Sequence, residues 1–75
     1  MTHMKKLLAL YSRTYRNCVF YESENHQNAL LNEIGVLRGI AYCIEAISKD
    51  GSMFCHIDYA GFKHFIEIQQ ELKHK

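Results

Sequence analysis

The 75-residue sequence contains no proline and no tryptophan, and no linker, repeat or low-complexity segment interrupts it. Its apolar share of 48% is too high for a disordered chain, and its nine basic and eight acidic residues are too balanced. Because domains typically contain about 50–250 residues, we predict that residues 1–75 form one small globular domain. A core of this size supplies about 3–5 kcal/mol of net stability, which favours association with a partner.

Long apolar runs are absent, since none approaches the roughly 20 residues that cross a bilayer. The apolar run over residues 7–11 follows two lysines, as in a signal peptide. It is shorter than the ~7–15-residue hydrophobic region of a secretory signal peptide and lacks a small-residue cleavage site. Cysteine is scarce, and its odd count of three argues against a disulfide framework and indicates a reducing compartment. We therefore predict a cytoplasmic protein without a membrane partner.

The sequence contains no complete catalytic, metal-binding or cofactor motif. Zinc modules usually pair their ligands at short spacing, whereas the close pairs here are Cys55 with His56 and His56 with His64. A cysteine nucleophile needs a nearby imidazole and an oxyanion site, and no local signature supports either for Cys18 or Cys55. We therefore predict that the protein is not an enzyme and binds no metal and no cofactor.

The clearest secondary-structure signal is a long amphipathic helix over residues 26–48. Ser23 or Asn25 is expected to cap its start, and Asp50-Gly51 is expected to end it. The same Asp-Gly pair suits a β-hairpin, but a hairpin accounts for only the last third of the pattern. The predicted apolar face contains Ala29, Leu30, Val36, Leu37, Ile40, Ala41, Cys43, Ile44 and Ile47.

The remaining segments favour a mixed fold. Residues 52–59 alternate with the period of a strand, residues 17–22 are the other β-prone run, and residues 60–73 predict a second helix. Residues 4–16 fit either a helix or a strand that turns near Arg13-Thr14. We expect an α+β fold in which a small two- or three-stranded antiparallel sheet packs with a long central helix and a C-terminal helix, in the order ββαβα. The alternative is an all-α three-helix arrangement.

The near-neutral net charge hides an asymmetry along the chain. Residues 1–16 contain four bases and no acid, whereas residues 17–75 contain five bases and eight acids. A basic block binds phosphates, and tyrosines between arginines suit stacking on bases. A solvated face is the competing interpretation, because the whole chain is close to neutral. The candidate nucleic-acid contact consists of Lys5, Lys6, Arg13, Tyr15 and Arg16.

Two glycines lie four residues apart on the polar face of the long helix. Each of Gly35 and Gly39 costs about 1 kcal/mol relative to alanine in a helix interior, and together they let another backbone approach closely. We predict a small protein-interaction module, a regulator or inhibitor that binds a partner protein and pairs as a homodimer. Nucleic-acid binding is the alternative function. The predicted protein interface consists of Asn32, Gly35, Arg38, Gly39 and Tyr42.

Overall fold

A computed structural model describes residues 2–48 and 59–73, and these residues form three α-helices. Helix α1 spans Thr2–Ser23, α2 spans Gln27–Ser48 and α3 spans Tyr59–Lys73. No strand occurs in these two ranges. The expected α+β fold, with its ββαβα order, is therefore wrong, and the all-α three-helix alternative fits. Asp50-Gly51 and most of the strand predicted over residues 52–59 lie outside the described residues.

Helix α1 runs without a break through both N-terminal segments that were expected to form strands. Its buried side chains recur every three or four residues, which is the spacing of two helices packed side by side. The aromatic and β-branched residues of the 17–22 run disfavour a helix by less than about 1 kcal/mol each, so burial of the other face outweighs them. The packed stripe of α1 consists of Met4, Leu7, Tyr11, Thr14, Cys18 and Tyr21.

A Schellman turn ends α1 and leads directly into α2. Asn25 adopts a left-handed conformation with φ 59°, which asparagine tolerates better than most residues. The His26 N–H donates to the Tyr21 carbonyl at 3.0 Å, and the Asn25 N–H donates to the Glu22 carbonyl at 3.2 Å. The Ser23 hydroxyl donates to a carbonyl in the last turn of α1 at 2.7 Å. The expectation that Ser23 or Asn25 caps α2 is therefore wrong, because both close α1.

Helix α2 contributes the centre of the core and confirms the helix predicted over residues 26–48. The predicted apolar face was too wide, since Val36, Cys43 and Ile47 are exposed to solvent. The buried residues of α2 are spaced alternately by four and three residues, which is a seven-residue repeat that faces α1. Val36, Cys43 and Ile47 do not belong to that repeat. The buried residues of α2 are Leu30, Ile34, Leu37, Ala41 and Ile44.

Helix α3 packs against the α1–α2 pair through Phe65, which is 2% exposed. The Tyr15 ring meets the Phe65 ring edge-on, with centroids 5.4 Å apart. One turn earlier on α3, the Phe62 ring lies 6.4 Å from that of Tyr11. Edge-on and tilted ring pairs add about 0.5–1.5 kcal/mol beyond area burial. These aromatic contacts confirm a helix in the C-terminal segment and attach it to α1.

Polar contacts join α3 to both of its neighbours. His64 Nε2 lies 3.0 Å from a carboxylate oxygen of Glu22 on α1. The Arg38 guanidinium of α2 donates to the side-chain oxygen of Gln69 at 3.3 Å. An exposed contact such as that between His64 and Glu22 contributes about 0–1 kcal/mol, whereas the Arg38–Gln69 hydrogen bond is partly buried and fixes α3 against α2. Within the described residues, no helix combines the length and the apolar character needed to cross a membrane.

Candidate functional site

The residues predicted to bind partners lie on two exposed surfaces, one on α2 and one on α1. We call the first the α2 outer face, because it points away from the core stripe of α2, and the second the α1 basic face. The α2 outer face consists of Asn32, Gly35, Val36, Arg38, Gly39, Tyr42, Cys43, Ala46 and Ile47. The α1 basic face consists of Lys5, Lys6, Ala9, Leu10, Arg13, Arg16 and Phe20.

The α2 outer face brings together the five residues of the predicted protein interface and extends it with exposed apolar side chains. Val36, Tyr42 and Ile47 are 51%, 54% and 53% exposed. Large apolar side chains grouped on one exposed face mark an interaction surface more often than isolated ones do. Sequence reasoning missed Val36, Cys43 and Ile47 because it assigned them to the core. A seven-residue repeat, applied to the sequence, would have separated the buried apolar residues of α2 from the exposed ones.

The two glycines of the α2 outer face are not required by packing inside the described part of the chain. A Cβ built on Gly35 or on Gly39 meets no atom within 4 Å. Close approach of another helix of the same chain, over the described ranges, therefore does not explain them. They leave a shallow, side-chain-free strip along the middle of the α2 outer face.

Arg38 stands at the edge of the α2 outer face and is half-buried. Its Nε donates to the Tyr42 hydroxyl at 3.0 Å, and its guanidinium carbon lies 5.5 Å from the centre of the Tyr42 ring. Because Arg38 also donates to Gln69 on α3, two linked hydrogen bonds connect α3 to the Tyr42 hydroxyl and orient the Tyr42 ring. A ring held in one position loses little conformational entropy on binding, as interface anchors require.

Charge is almost missing from the exposed side of α2. Among its exposed residues, Glu45 is the charged one, and it lies beside the α2 outer face rather than on it. The exposed side of α3, by contrast, carries Lys63, Glu67 and Glu71. Depletion of charge at the centre of a surface is typical of protein interfaces. The α2 outer face therefore differs from the remaining solvated surface in composition as well as in shape.

The α1 basic face places its functional side chains along one line of the helix. Lys6, Ala9, Arg13, Arg16 and Phe20 follow each other at intervals of three and four residues, so they lie on one side of α1. A shallow depression in this face is lined by Lys6, Ala9, Leu10, Arg13 and Arg16. The small Ala9 side chain forms its floor, and the cationic side chains surround it.

Tyr15 does not share this line with the arginines. It is half-buried and packs against Phe65, while Tyr11 is only 3% exposed. The aromatic ring that the structure brings to the α1 basic face is Phe20, which is 56% exposed. Its spacing of four from Arg16 and seven from Arg13 was the signal in the sequence. Lys5, Lys6, Arg13 and Arg16 are exposed as predicted, and Tyr15 lies on another face.

The cysteines occupy contrasting environments. Cys18 is fully buried between α1 and α2, and Cys43 is exposed. Burial, together with the nearby carboxylates of Glu33 and Glu22, raises the pKa of the Cys18 thiol from 9.0 to about 12. Cys18 is therefore a protonated thiol at neutral pH and lacks the thiolate that a nucleophile needs. Cys55 lies outside the described residues.

Within residues 2–48 and 59–73, no group of three or more His, Cys, Asp or Glu side chains is placed to hold a metal ion. Comparison of the chain with protein families, with curated proteins and with solved structures finds no match.

Proposed function

We propose that this chain is a small protein-interaction module, a regulator or inhibitor that acts by covering a surface of a partner protein with the α2 outer face. The observation that carries the proposal is the exposure of Val36, Tyr42 and Ile47 on one helix face that has almost no charge. Solvation alone gives no reason for such a composition, whereas burial against a partner does.

The shape of this face favours one mode of recognition. Val36, Cys43 and Ile47 are spaced by seven and four residues, as are the anchors of helices that lie in a hydrophobic groove. The strip at Gly35 and Gly39 has no side chains, so the walls of such a groove can approach the α2 backbone. We therefore propose that the partner offers an apolar groove or the small-residue side of another helix.

We propose further that, without a partner, a second copy of the chain covers the same face. The charged residue of the α2 outer face is Arg38, which lies at its edge and is bonded to Gln69, so two copies can meet about a two-fold axis without like charges at the centre of the contact. From Asn32 to Ile47 this face is about 22 Å long, and a contact confined to one face of one helix is small for a specific interface. The homodimer is accordingly weak, and a partner protein displaces the second copy.

Free thiols support placing this activity in the cytoplasm, since Cys18 and Cys43 are both unpaired by disulfides. The location and the regulatory role are parts of the same proposal and depend on the identity of the partner.

Site-specific photocrosslinking in the native host tests the proposal directly. A photoreactive phenylalanine replaces Tyr42 on the α2 outer face, and in a matched variant it replaces Gln70, which is exposed on α3. We expect a discrete crosslinked partner from position 42 that is lost when Ile47→Glu is added. Equal crosslinking from both positions, or none from position 42, contradicts the proposal.

Sedimentation of the purified chain tests the homodimer separately. We expect the average mass to rise with concentration for the parent chain and to stay monomeric for Ile47→Glu. Gln70→Glu adds the same charge to the exposed side of α3 and should leave self-association unchanged. A parent chain that stays monomeric at every concentration contradicts the homodimer but not the binding of another protein.

A further inference from the structure

We propose that the α1 basic face is a second binding site, which takes the phosphate backbone and the bases of a single-stranded nucleic acid. The site is formed by the depression over Ala9, its cations Lys6, Arg13 and Arg16, and the exposed ring of Phe20. This site lies on a different helix from the α2 outer face, so it stands or fails independently of the proposed function.

The cations of the α1 basic face are available to an anionic ligand. Lys6, Arg13 and Arg16 are exposed, and within the described ranges none of them lies within ion-pair distance of a carboxylate. The first acid along α1 is Glu22, near its end, and His64 lies 3.0 Å from that carboxylate. Exposed cations without acidic neighbours attract a polyanion and release its counterions on binding.

The spacing of the cations on α1 favours a phosphate position over Ala9. Ala9 precedes Arg13 by four residues and follows Lys6 by three, so both cationic side chains flank its methyl group. A larger residue in place of Ala9 would fill the depression between them. A phosphate that rests on Ala9 can therefore accept hydrogen bonds from Lys6 and Arg13 at once, with Arg16 beside the next phosphate along.

The ring of Phe20 indicates a single strand rather than a duplex. It lies one helical turn beyond Arg16, is more than half exposed, and makes an edge-to-face contact with the Tyr21 ring at a centroid distance of 5.6 Å. Unpaired bases stack on such rings whatever their sequence, whereas the bases of a duplex are already stacked on each other. Lys6 and Phe20 are about 21 Å apart along the helix, which suits a short segment of several nucleotides.

A lipid surface fits the same face less well. A helix that lies in a membrane interface buries a continuous apolar side between its charged flanks. The continuous apolar side of α1 packs against α2 and α3 through Tyr11, Cys18 and their neighbours. The large exposed apolar residues of α1 are Leu10, Val19 and Phe20, and they form no continuous side, because Leu10 lies more than two turns from the others and adjacent residues point about 100° apart around the helix. Charge and shape therefore favour nucleic acid over an anionic bilayer.

Fluorescence anisotropy with a labelled 12-nucleotide oligothymidine tests this site on the full chain. We expect binding whose log–log salt slope is about −2 to −3, because three or four cations meet single-strand phosphates. Arg13→Gln and Arg16→Gln should each reduce that slope by about 0.7. Phe20→Leu should weaken binding about fivefold or more without changing the slope, because it removes a stacking ring and no charge.

Matched controls decide where and what the chain binds. Lys63→Gln removes an exposed cation from α3 and should leave the affinity unchanged. A loss with Lys63→Gln as large as that with Arg13→Gln contradicts the site. Equal affinity for heparin, with no effect of Phe20→Leu, would show attraction to any polyanion and overturn the proposal. Tighter binding to the corresponding duplex, or to vesicles of anionic phospholipid, overturns it too. Circular dichroism spectra identical to the parent establish that each variant is folded.

Discussion

Replacing both glycines of the α2 outer face with alanine should stabilise the isolated chain. Glycine in a helix interior is less favourable than alanine by roughly 0.5–1 kcal/mol, because it loses more backbone freedom on folding. At Gly35 and Gly39 a new Cβ meets no atom within 4 Å, so no steric cost offsets that gain. The double variant should therefore gain about 1–2 kcal/mol in the free energy of unfolding.

That gain is large for a domain of this size. The net stability of such a core is about 3–5 kcal/mol, so the variant increases it by roughly one fifth to two thirds. One kcal/mol shifts the melting temperature of a 60–100-residue domain by about 4–8 °C, so we expect a rise of about 4–16 °C. Ala46→Gly is the matched control, because it makes the reverse change at an exposed position of the same helix, and it should lower the melting temperature.

Thermal and urea unfolding measure this change, at concentrations low enough to keep the chain monomeric. The same variant should self-associate less than the parent, because two methyl groups occupy the strip that a second helix approaches. A variant that is less stable than the parent as a monomer would refute the reasoning on open space. A variant that is more stable and associates as strongly as the parent would refute the placement of the contact at these glycines.

Two further predictions concern the core. Ile34→Ala should lower the free energy of unfolding by about 2–5 kcal/mol, because Ile34 is fully buried. Val36→Ala should change the free energy of unfolding by no more than about 0.5 kcal/mol, because Val36 is exposed. Urea denaturation of both variants measures this contrast. Because the pKa of the Cys18 thiol is raised to about 12 by folding, its contribution to stability is fully present below pH 9 and is lost as the pH rises from 9 towards 12. Urea unfolding at pH 8 and pH 10.5 should therefore show a steeper loss for the parent than for Cys18→Ala, and parallel losses would contradict the role given to this thiol.

The candidate sites were partly predictable because helix faces follow from residue spacing. Gly35, Gly39 and Tyr42 were assigned to the polar side of a long helix from sequence alone, and they are exposed there. The cations of α1 could likewise be assigned to a basic segment. Phe20 follows Arg16 by four residues and could have been assigned to that face on its spacing, whereas the burial of Tyr15 could not, because Tyr15 packs against Phe65 only once α3 lies against α1.

The sequence by itself determined the helix over residues 26–48, since its apolar spacing repeats over six turns and the rival hairpin accounts for only the last third of them. It did not determine the state of residues 4–22, where a β-prone run follows an ambiguous stripe. Local preferences there differ by less than about 1 kcal/mol per residue, so the contacts made by buried side chains decide. Tyr11 and Cys18 reach the core only if α1 is a continuous helix against α2. The absence of proline permits that continuity, and tertiary packing selects it.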